Sequence, residues 1–242
     1  MNLTRSTIVF LLTASCCFAA AEIKVTEMWV GGLPGTEATA DWFELTNFGD
    51  MPLSGIDGNI YYDDNSADPT VDDQMFGIDS IAPGESVIYL TSWEDDWATA
   101  ADAIAAFDAM WGAPAGSLNG IQIGYVDGGS GLGGGGDAVF VFDSNQANAN
   151  IIASQQYQGN ADNNFASFAS DAAGNYSFFP DEPRAVVGVL GAYEGNLAAS
   201  DGMYSTGAPV PNAVGSPGVV PEPAACSLML LSLAGLLATR RR

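Results

Sequence analysis

Hydrophobic and polar residues alternate in several short runs of the chain, a period of two that is typical of β-strands. In residues 23–26, Ile and Val alternate with Lys and Thr. In residues 42–46, Phe43 and Leu45 share one face, and Trp42, Glu44 and Thr46 share the other. Further β-rich runs occupy residues 86–90, 121–126, 138–142 and 151–157. Turn residues separate these runs, as in the Ala-Pro-Gly-Glu of residues 82–85, so the pattern predicts an all-β domain built as an antiparallel β-sandwich.

One segment breaks this pattern and predicts a helix near residues 93–111. Ser92 is a candidate N-cap with Asp95 three residues later, and Gly112 is a candidate C-cap. Apolar residues recur at helical spacing between these caps, namely Trp97, Ala101, Ile104, Phe107 and Trp111. We interpret the aromatic stripe as core packing and not as a ligand-binding face.

The first 21 residues have the pattern of a secretory signal peptide. Arg5 gives a positive start, an apolar run follows, and small residues precede Glu22. We predict cleavage after Ala21, with Ala19 and Ala21 as the small residues of the cleavage site. A retained membrane anchor is the alternative, but the apolar run is short for a span.

The last 22 residues carry three features in a fixed order. Pro221, Glu222 and Pro223 come first, and residues 224–238 follow without a single charge. Three arginines, Arg240, Arg241 and Arg242, then close the chain. The uncharged run is a little shorter than the roughly 20 residues that cross a bilayer comfortably. Positive charge stays on the cytoplasmic side, so this order predicts a transmembrane helix whose upstream body lies outside the inner membrane.

This C-terminus resembles the PEP-CTERM sorting signal of Gram-negative bacteria. The resemblance covers residues 220–242, and a plain C-terminal anchor is the alternative. It implies recognition by an exosortase, a membrane cysteine protease that would cleave near Pro221-Glu222-Pro223. The protein would then pass to the cell envelope or the extracellular matrix.

The body, residues 22–206, resembles the lamin-tail domain in its bacterial secreted form. The stretches that carry the resemblance occur in the family's order, at residues 23–27, 41–47, 52–55, 81–85, 136–143 and 156–157. The resemblance implies an immunoglobulin-like β-sandwich that is not catalytic. The chain departs from the family in a long acidic loop after Gly55 and in a glycine-rich stretch at residues 128–136. Residues 207–220 are rich in Pro, Gly and Ala and predict an extended linker.

Charge and composition exclude several classes of function. Between Glu22 and Val220 there are 28 acidic residues and only Lys24 and Arg184 as basic ones. Such a surface repels phosphate, so we expect no nucleic-acid partner. The chain has no His, which removes Ser-His and Cys-His nucleophile pairs. Its three Cys are Cys16, Cys17 and Cys226, all in the end segments, so the body has neither a disulfide nor a Cys metal site.

The acidic loop is a candidate calcium site. It holds six carboxylates within 17 positions, namely Asp57, Asp63, Asp64, Asp68, Asp72 and Asp73. Calcium accepts irregular sets of oxygen ligands, although the spacing does not fit an EF-hand. A solvated acidic loop is the plainer interpretation. Calcium is therefore expected as a cofactor only if the loop is a calcium site.

Two further patterns predict little. Residues 129–134 contain Gly-x-Gly-x-x-Gly, but a strand follows where a dinucleotide site needs a helix, so we predict a hairpin loop. A glycosidase needs a pair of acidic residues, and Glu27, Asp41 and Glu44, which lie on predicted strands, are the candidates for such a pair. Any acidic chain offers such pairs, and we predict Glu44 to be a surface residue.

The sequence therefore predicts an exported cell-envelope or matrix protein with a non-catalytic domain for adhesion or structural display. The implied partners are an exosortase, the inner membrane, and extracellular polysaccharide or other envelope proteins. A calcium- or carbohydrate-binding surface module is the alternative. A hydrolase of extracellular polymer is a remote one.

Overall fold

The fold is known from a computed structural model. It describes residues 20–30, 40–70, 73–95, 97–112, 118, 120–159, 166–177, 183–195 and 213–219. Residues 1–19 of the predicted signal peptide and the whole predicted sorting signal, with its transmembrane helix, lie outside this part of the chain. None of the helices within it is long and apolar enough to span a membrane.

The described chain is mainly β-structure with one α-helix, as the sequence predicts. The strands are β1 (Ile23–Trp29), β2 (Asp41–Asn47), β3 (Leu53–Ser54), β4 (Tyr61–Asp63), β5 (Gln74–Phe76), β6 (Ser80–Ile81), β7 (Ser86–Thr91), β8 (Gln122–Asp127), β9 (Gly136–Phe142), β10 (Ile151–Gln158), β11 (Phe168–Ala169), β12 (Tyr193–Gly195) and β13 (Ala213–Gly215). The helix α1 spans Ala100–Trp111. All the strand runs predicted from alternation are confirmed, because each falls within a strand except for a residue at some ends.

Nine strands form one sheet that curls back on itself. Their order is β10-β9-β4-β5-β8-β7-β2-β1-β11, with β12-β13 and β3-β6 as separate pairs. Tyr157 of β10 and Phe168 of β11 lie at opposite ends of this order, yet their rings are 4.7 Å apart. Phe43 of β2 stacks on Tyr62 of β4 at 5.3 Å across the interior. The two halves of the sheet therefore face each other, as in a sandwich.

Alternation along the strands divides the core into an inner and an outer part. Phe43, Leu45 and Tyr89 belong to the inner cluster, between the two halves of the sheet. Trp42 and Leu90, their neighbours in sequence, belong to the outer cluster beneath α1. Strand β2 is buried at every position, because the curled sheet covers one face and the helix covers much of the other.

The helix explains the one parallel pair in the sheet, β7 with β8. Parallel neighbours need a crossover connection, and α1 supplies it between these two strands. Trp111 at its C-terminal end lies edge-on to Trp29 at 5.5 Å and to Trp42 at 5.7 Å. The interpretation of the helix's aromatic stripe as core packing is confirmed for Phe107 and Trp111, which are both fully buried.

The start of the helix differs from the prediction. A 3-10 turn occupies Trp93–Asp95, and α1 begins later with Thr99 as its N-cap. The Thr99 hydroxyl accepts a hydrogen bond from the backbone N–H of Asp102, the capping geometry that was predicted for Ser92. The buried stripe includes Phe107 and Trp111 as predicted, whereas Ala101 is exposed.

The acidic loop after Gly55 contains structure that the alternation did not predict. Strands β4 and β5 pair with each other and insert between β9 and β8 in the sheet. Residues 129–134 therefore cannot form the hairpin loop that was predicted, because β4 and β5 lie between β8 and β9 in the sheet. Short strands with few alternating positions give almost no periodic signal, which is why the pattern missed them.

The end of the predicted linker is also part of the fold. Of residues 207–220 the structure describes 213–219, and Ala213–Gly215 form strand β13 paired with β12. Ala213 is fully buried in the outer cluster. The segment just before the predicted sorting motif is thus packed against the body over these seven residues.

Candidate functional site

A β-bulge in β1 creates the most unusual polar cluster among the described residues. Val25 pairs with Leu45, but the next pair is Glu27 with Glu44, so Thr26 is the extra residue. Regular alternation would direct Glu27 into the inner cluster. The bulge reverses the order, so that Met28 enters the inner cluster and Glu27 lies opposite Glu44.

Two carboxyl groups are therefore buried side by side. Glu27 is 1% exposed and Glu44 is 2% exposed. Directly paired residues in an antiparallel sheet have Cβ atoms about 4.5–5.5 Å apart, and like charges in such positions repel. The prediction that Glu44 is a surface residue is wrong, because the chain beyond β10 covers this face of the sheet.

Glu27 is held by two segments that are distant in sequence. Its Oε1 accepts a hydrogen bond from the Ser167 hydroxyl and one from the Ser216 backbone N–H at 2.8 Å. Its Oε2 accepts from the Ser216 hydroxyl at 2.9 Å. Gly215 is required beside it, because an added Cβ would lie 2.9 Å from Oε1 and 2.8 Å from the Trp111 ring. Glu27 thus fixes Ser216 against β1.

Glu44 is held in the same way, from the sheet and from the C-terminal segment. Its Oε1 accepts a hydrogen bond from the Thr26 hydroxyl, and its Oε2 accepts from the Gly218 backbone N–H at 2.6 Å. The Thr26 hydroxyl is 2.8 Å from that of Thr46, which is 2.6 Å from that of Ser86. Each carboxyl oxygen of the pair therefore has a partner from the chain itself.

Burial and proximity shift the protonation of both groups. Burial raises the pKa of Glu27 from 4.5 to about 7, and its three hydrogen bonds oppose this rise. Burial first, and then the charge of Glu27, raise the pKa of Glu44 from 4.5 to about 8. The two groups titrate as a pair, and both pKa values are raised. The pair therefore retains at least one proton near neutral pH.

A cavity of about 270 Å³ lies beside Glu44. Its polar wall includes Thr26, Ser170, Tyr176 and Arg184. Tyr176 and Glu44 line the same cavity, and burial, followed by the charges of Glu27 and Glu44, raises the pKa of Tyr176. The Arg184 guanidinium lies 3.6 Å from the centroid of the Phe168 ring and donates to the carbonyl of Ala166 at 2.9 Å.

The acids that a glycosidase would need are only partly brought together. Glu27 and Glu44 are neighbours, but Asp41 lies at the start of β2 and its Oδ2 accepts from the Leu132 backbone N–H at 2.6 Å. Asp41 thus anchors the glycine-rich stretch. Every carboxyl oxygen of the paired glutamates accepts a hydrogen bond from the chain itself. This arrangement suits a role in stabilising the fold better than that of an acid and a base facing a substrate.

Four aspartates of the predicted calcium site accept hydrogen bonds from the chain itself. Asp57 accepts from the Gly77 N–H, and Asp64 accepts from the Ser66 N–H. Asp63 is buried and accepts from the Ser66 hydroxyl, while Asp68 accepts from Thr70. Asp73 is half-buried beside β5, and Asp72 lies outside the described residues. Within the described ranges no three acidic side chains are grouped closely enough to hold a metal ion, and the calcium site stays a prediction.

Most residues of the processing sites lie outside the described part of the chain. These are Ala19, Pro221, Glu222, Pro223, Arg240, Arg241 and Arg242. Of the predicted cleavage site, Ala21 and Glu22 are described. The Glu22 backbone N–H donates to the Asn47 side chain at 3.2 Å, so the predicted new N-terminus lies against the end of β2.

Sequence reasoning did not find Ser167, Ser216 and Gly218 as partners of the buried pair. They lie 140 to 189 residues from Glu27, or 174 from Glu44, and no local pattern links them. The only available signal was a Glu in the middle of two apolar strands, at positions 27 and 44.

The comparisons with known proteins give no relative. No family model, no curated protein and no solved structure matches the chain.

Proposed function

We propose that the protein is an exported, exosortase-sorted protein of the cell envelope or extracellular matrix, with a non-catalytic domain for adhesion or structural display. The domain is an immunoglobulin-like sandwich of the lamin-tail type in this proposal. The signal peptide, the sorting signal and the resemblance of the body, each taken from the sequence, support the three parts of this statement.

The observation that carries the non-catalytic role is the use of the two buried glutamates. Both accept hydrogen bonds from residues 216–218, so both hold the C-terminal segment on the sheet. Val219 is hydrogen-bonded to Ser216 and is only two residues from Pro221. The described part of the body is therefore folded as far as Val219, which suits a domain displayed close to an anchor or cleavage site.

The test is to follow processing in a Gram-negative host that has an exosortase and in the same host without it. We expect the chain outside the cytoplasm to begin at Glu22 in both hosts, as read by N-terminal sequencing. We expect its mass to show loss of the tail after residues 221–223 only in the host with the enzyme.

The matched control replaces Pro221, Glu222 and Pro223 by alanine and leaves the apolar run and the arginines intact. This variant should be exported and anchored but not cleaved. If the chain is found in the cytoplasm with its first 21 residues still attached, the export proposal is wrong. Cleavage that is unaffected by the alanine variant would exclude the sorting motif.

A further inference from the structure

An uncharged apolar loop is exposed close to the last described residue. Residues 185–193 contain no charge, although the body around them is strongly acidic. Four side chains of this loop are exposed: Val186 is 58% exposed, Val187 52%, Val189 55% and Leu190 43%. They are four of the six large apolar side chains that are exposed in the described part of the chain. We call these four residues the apolar loop.

The loop is held in shape by its own backbone. Val189 donates to the carbonyl of Val186, Ala192 donates to that of Val189, and Gly188 donates to that of Ala192. Leu190 has a φ of 47°, in the left-handed region that favours glycine and strains other residues. The exposure of these side chains therefore belongs to a turn with a fixed backbone and not to a loose segment.

The loop adjoins the end of the body that leads to the predicted membrane segment. An added Cβ on Gly191 would lie 2.5 Å from the Val219 side chain, so the loop and Val219 are packed together. Val189, Leu190 and Val219 also line the cavity that lies beside Glu44.

The tether from Val219 to the membrane is short. Residues 220–223 separate it from Ala224, where the uncharged run begins. An extended chain covers at most about 3.6 Å per residue, so Val219 lies within about 18 Å of Ala224. The polar layer of a bilayer leaflet is itself about 5–7 Å thick. While the tail is in the membrane, the end of the body that carries the apolar loop is thus held near the lipid headgroups.

We propose that the apolar loop rests on the outer surface of the inner membrane while the C-terminal segment is inserted, with Val186, Val187, Val189 and Leu190 in contact with lipid. This inference rests on the proposed membrane insertion of the tail. The contact uses apolar burial and not charge, because the acidic body is repelled by anionic lipid. It would orient the folded body with the sorting motif at the membrane surface, where a membrane protease acts.

The test uses the mature chain, residues 22–242, in vesicles of zwitterionic lipid. Its one cysteine is Cys226, inside the predicted membrane segment. A polarity-sensitive fluorophore is placed on Cys226 itself, or on Val187→Cys or Ile151→Cys in a Cys226→Ser background. Ile151 is the matched control because it is also apolar and 53% exposed. Lipids that carry a nitroxide quencher then report contact with the bilayer, and tryptophan fluorescence confirms that each labelled chain is folded.

We expect loss of fluorescence at Cys226 and at position 187 but not at position 151. Quenching at Cys226 without quenching at position 187 would overturn the inference and leave the membrane anchor in place. Absence of quenching at Cys226 would overturn the anchor and the inference together. Self-quenching at position 187 without any effect of the lipid quencher would instead assign the loop to contact with a second copy of the chain, and would overturn the lipid contact.

Discussion

The buried glutamate pair makes the stability of the domain depend on pH in an unusual direction. Glu27 and Glu44 stay protonated to a higher pH in the folded chain than in the unfolded chain, because burial raises their pKa values from 4.5 to about 7 and about 8. The folded state thus holds protons that the unfolded state has lost. Stability therefore falls as pH rises from about 4.5 to about 8, and levels off above that.

The size of the effect follows from the shifts. One pKa unit corresponds to about 1.4 kcal/mol, so the shift of Glu44 corresponds to roughly 5 kcal/mol. The shift of Glu27 is smaller, and the repulsion between the two groups is shared between them. We expect the free energy of unfolding to fall by on the order of 5 kcal/mol between pH 5 and pH 9, a large part of the 5–15 kcal/mol of an ordinary domain.

The perturbation that tests this is Glu44→Gln. Glutamine keeps a carbonyl oxygen to accept from the Gly218 N–H, and its amide can donate to the Thr26 hydroxyl, which then acts as acceptor. The variant loses the buried charge and the repulsion on Glu27. We expect it to be more stable than the natural chain at pH 9, and to lose at least half of the dependence on pH.

The assay is urea unfolding of residues 22–242 at pH 5, 7 and 9 at one ionic strength, followed by tryptophan fluorescence. Glu22→Gln is the matched control, because it removes the same charge from a side chain that is 62% exposed. The control should keep the full slope of the natural chain. A natural chain whose stability is flat or rises from pH 5 to pH 9 would refute the reasoning, as would a Glu44→Gln variant that keeps the full slope.

Three further predictions concern the core, the helix and the acidic loop. Gly215→Ala should cost about 1–3 kcal/mol in urea unfolding, because its Cβ would press on the Trp111 ring, whereas Gly135→Ala, in open space, should be neutral. Thr99→Ala should cost about 1 kcal/mol by removing the N-cap, and Thr99→Ser should restore it. If the acidic loop is only solvated, calcium should not move the thermal midpoint relative to excess chelator, because four of its aspartates already accept hydrogen bonds from the chain itself; a rise of many degrees would instead support the calcium site.

The sequence by itself determined the long strands and the helix. It also determined that the aromatic residues of the helix belong to the core. These features depend on local periodicity, which a reader of the chain can see directly. Strand β2 illustrates the limit of this reasoning. Alternation correctly put Phe43 and Trp42 on opposite faces, but it predicted that Glu44, on the face of Trp42, is exposed. Only the tertiary structure shows that this face is covered as well.

The candidate site was decided by the tertiary structure. The bulge at Thr26 sets Glu27 opposite Glu44, and a shift of one residue in register leaves no mark in composition. Ser216 and Gly218 then reach the pair from the far end of the chain. Such contacts depend on how the sheet curls, since curling brings together segments whose separation in sequence is nearly the length of the domain. A pattern read along the chain carries local preferences, whereas a buried polar cluster is completed by partners that only the folded shape supplies.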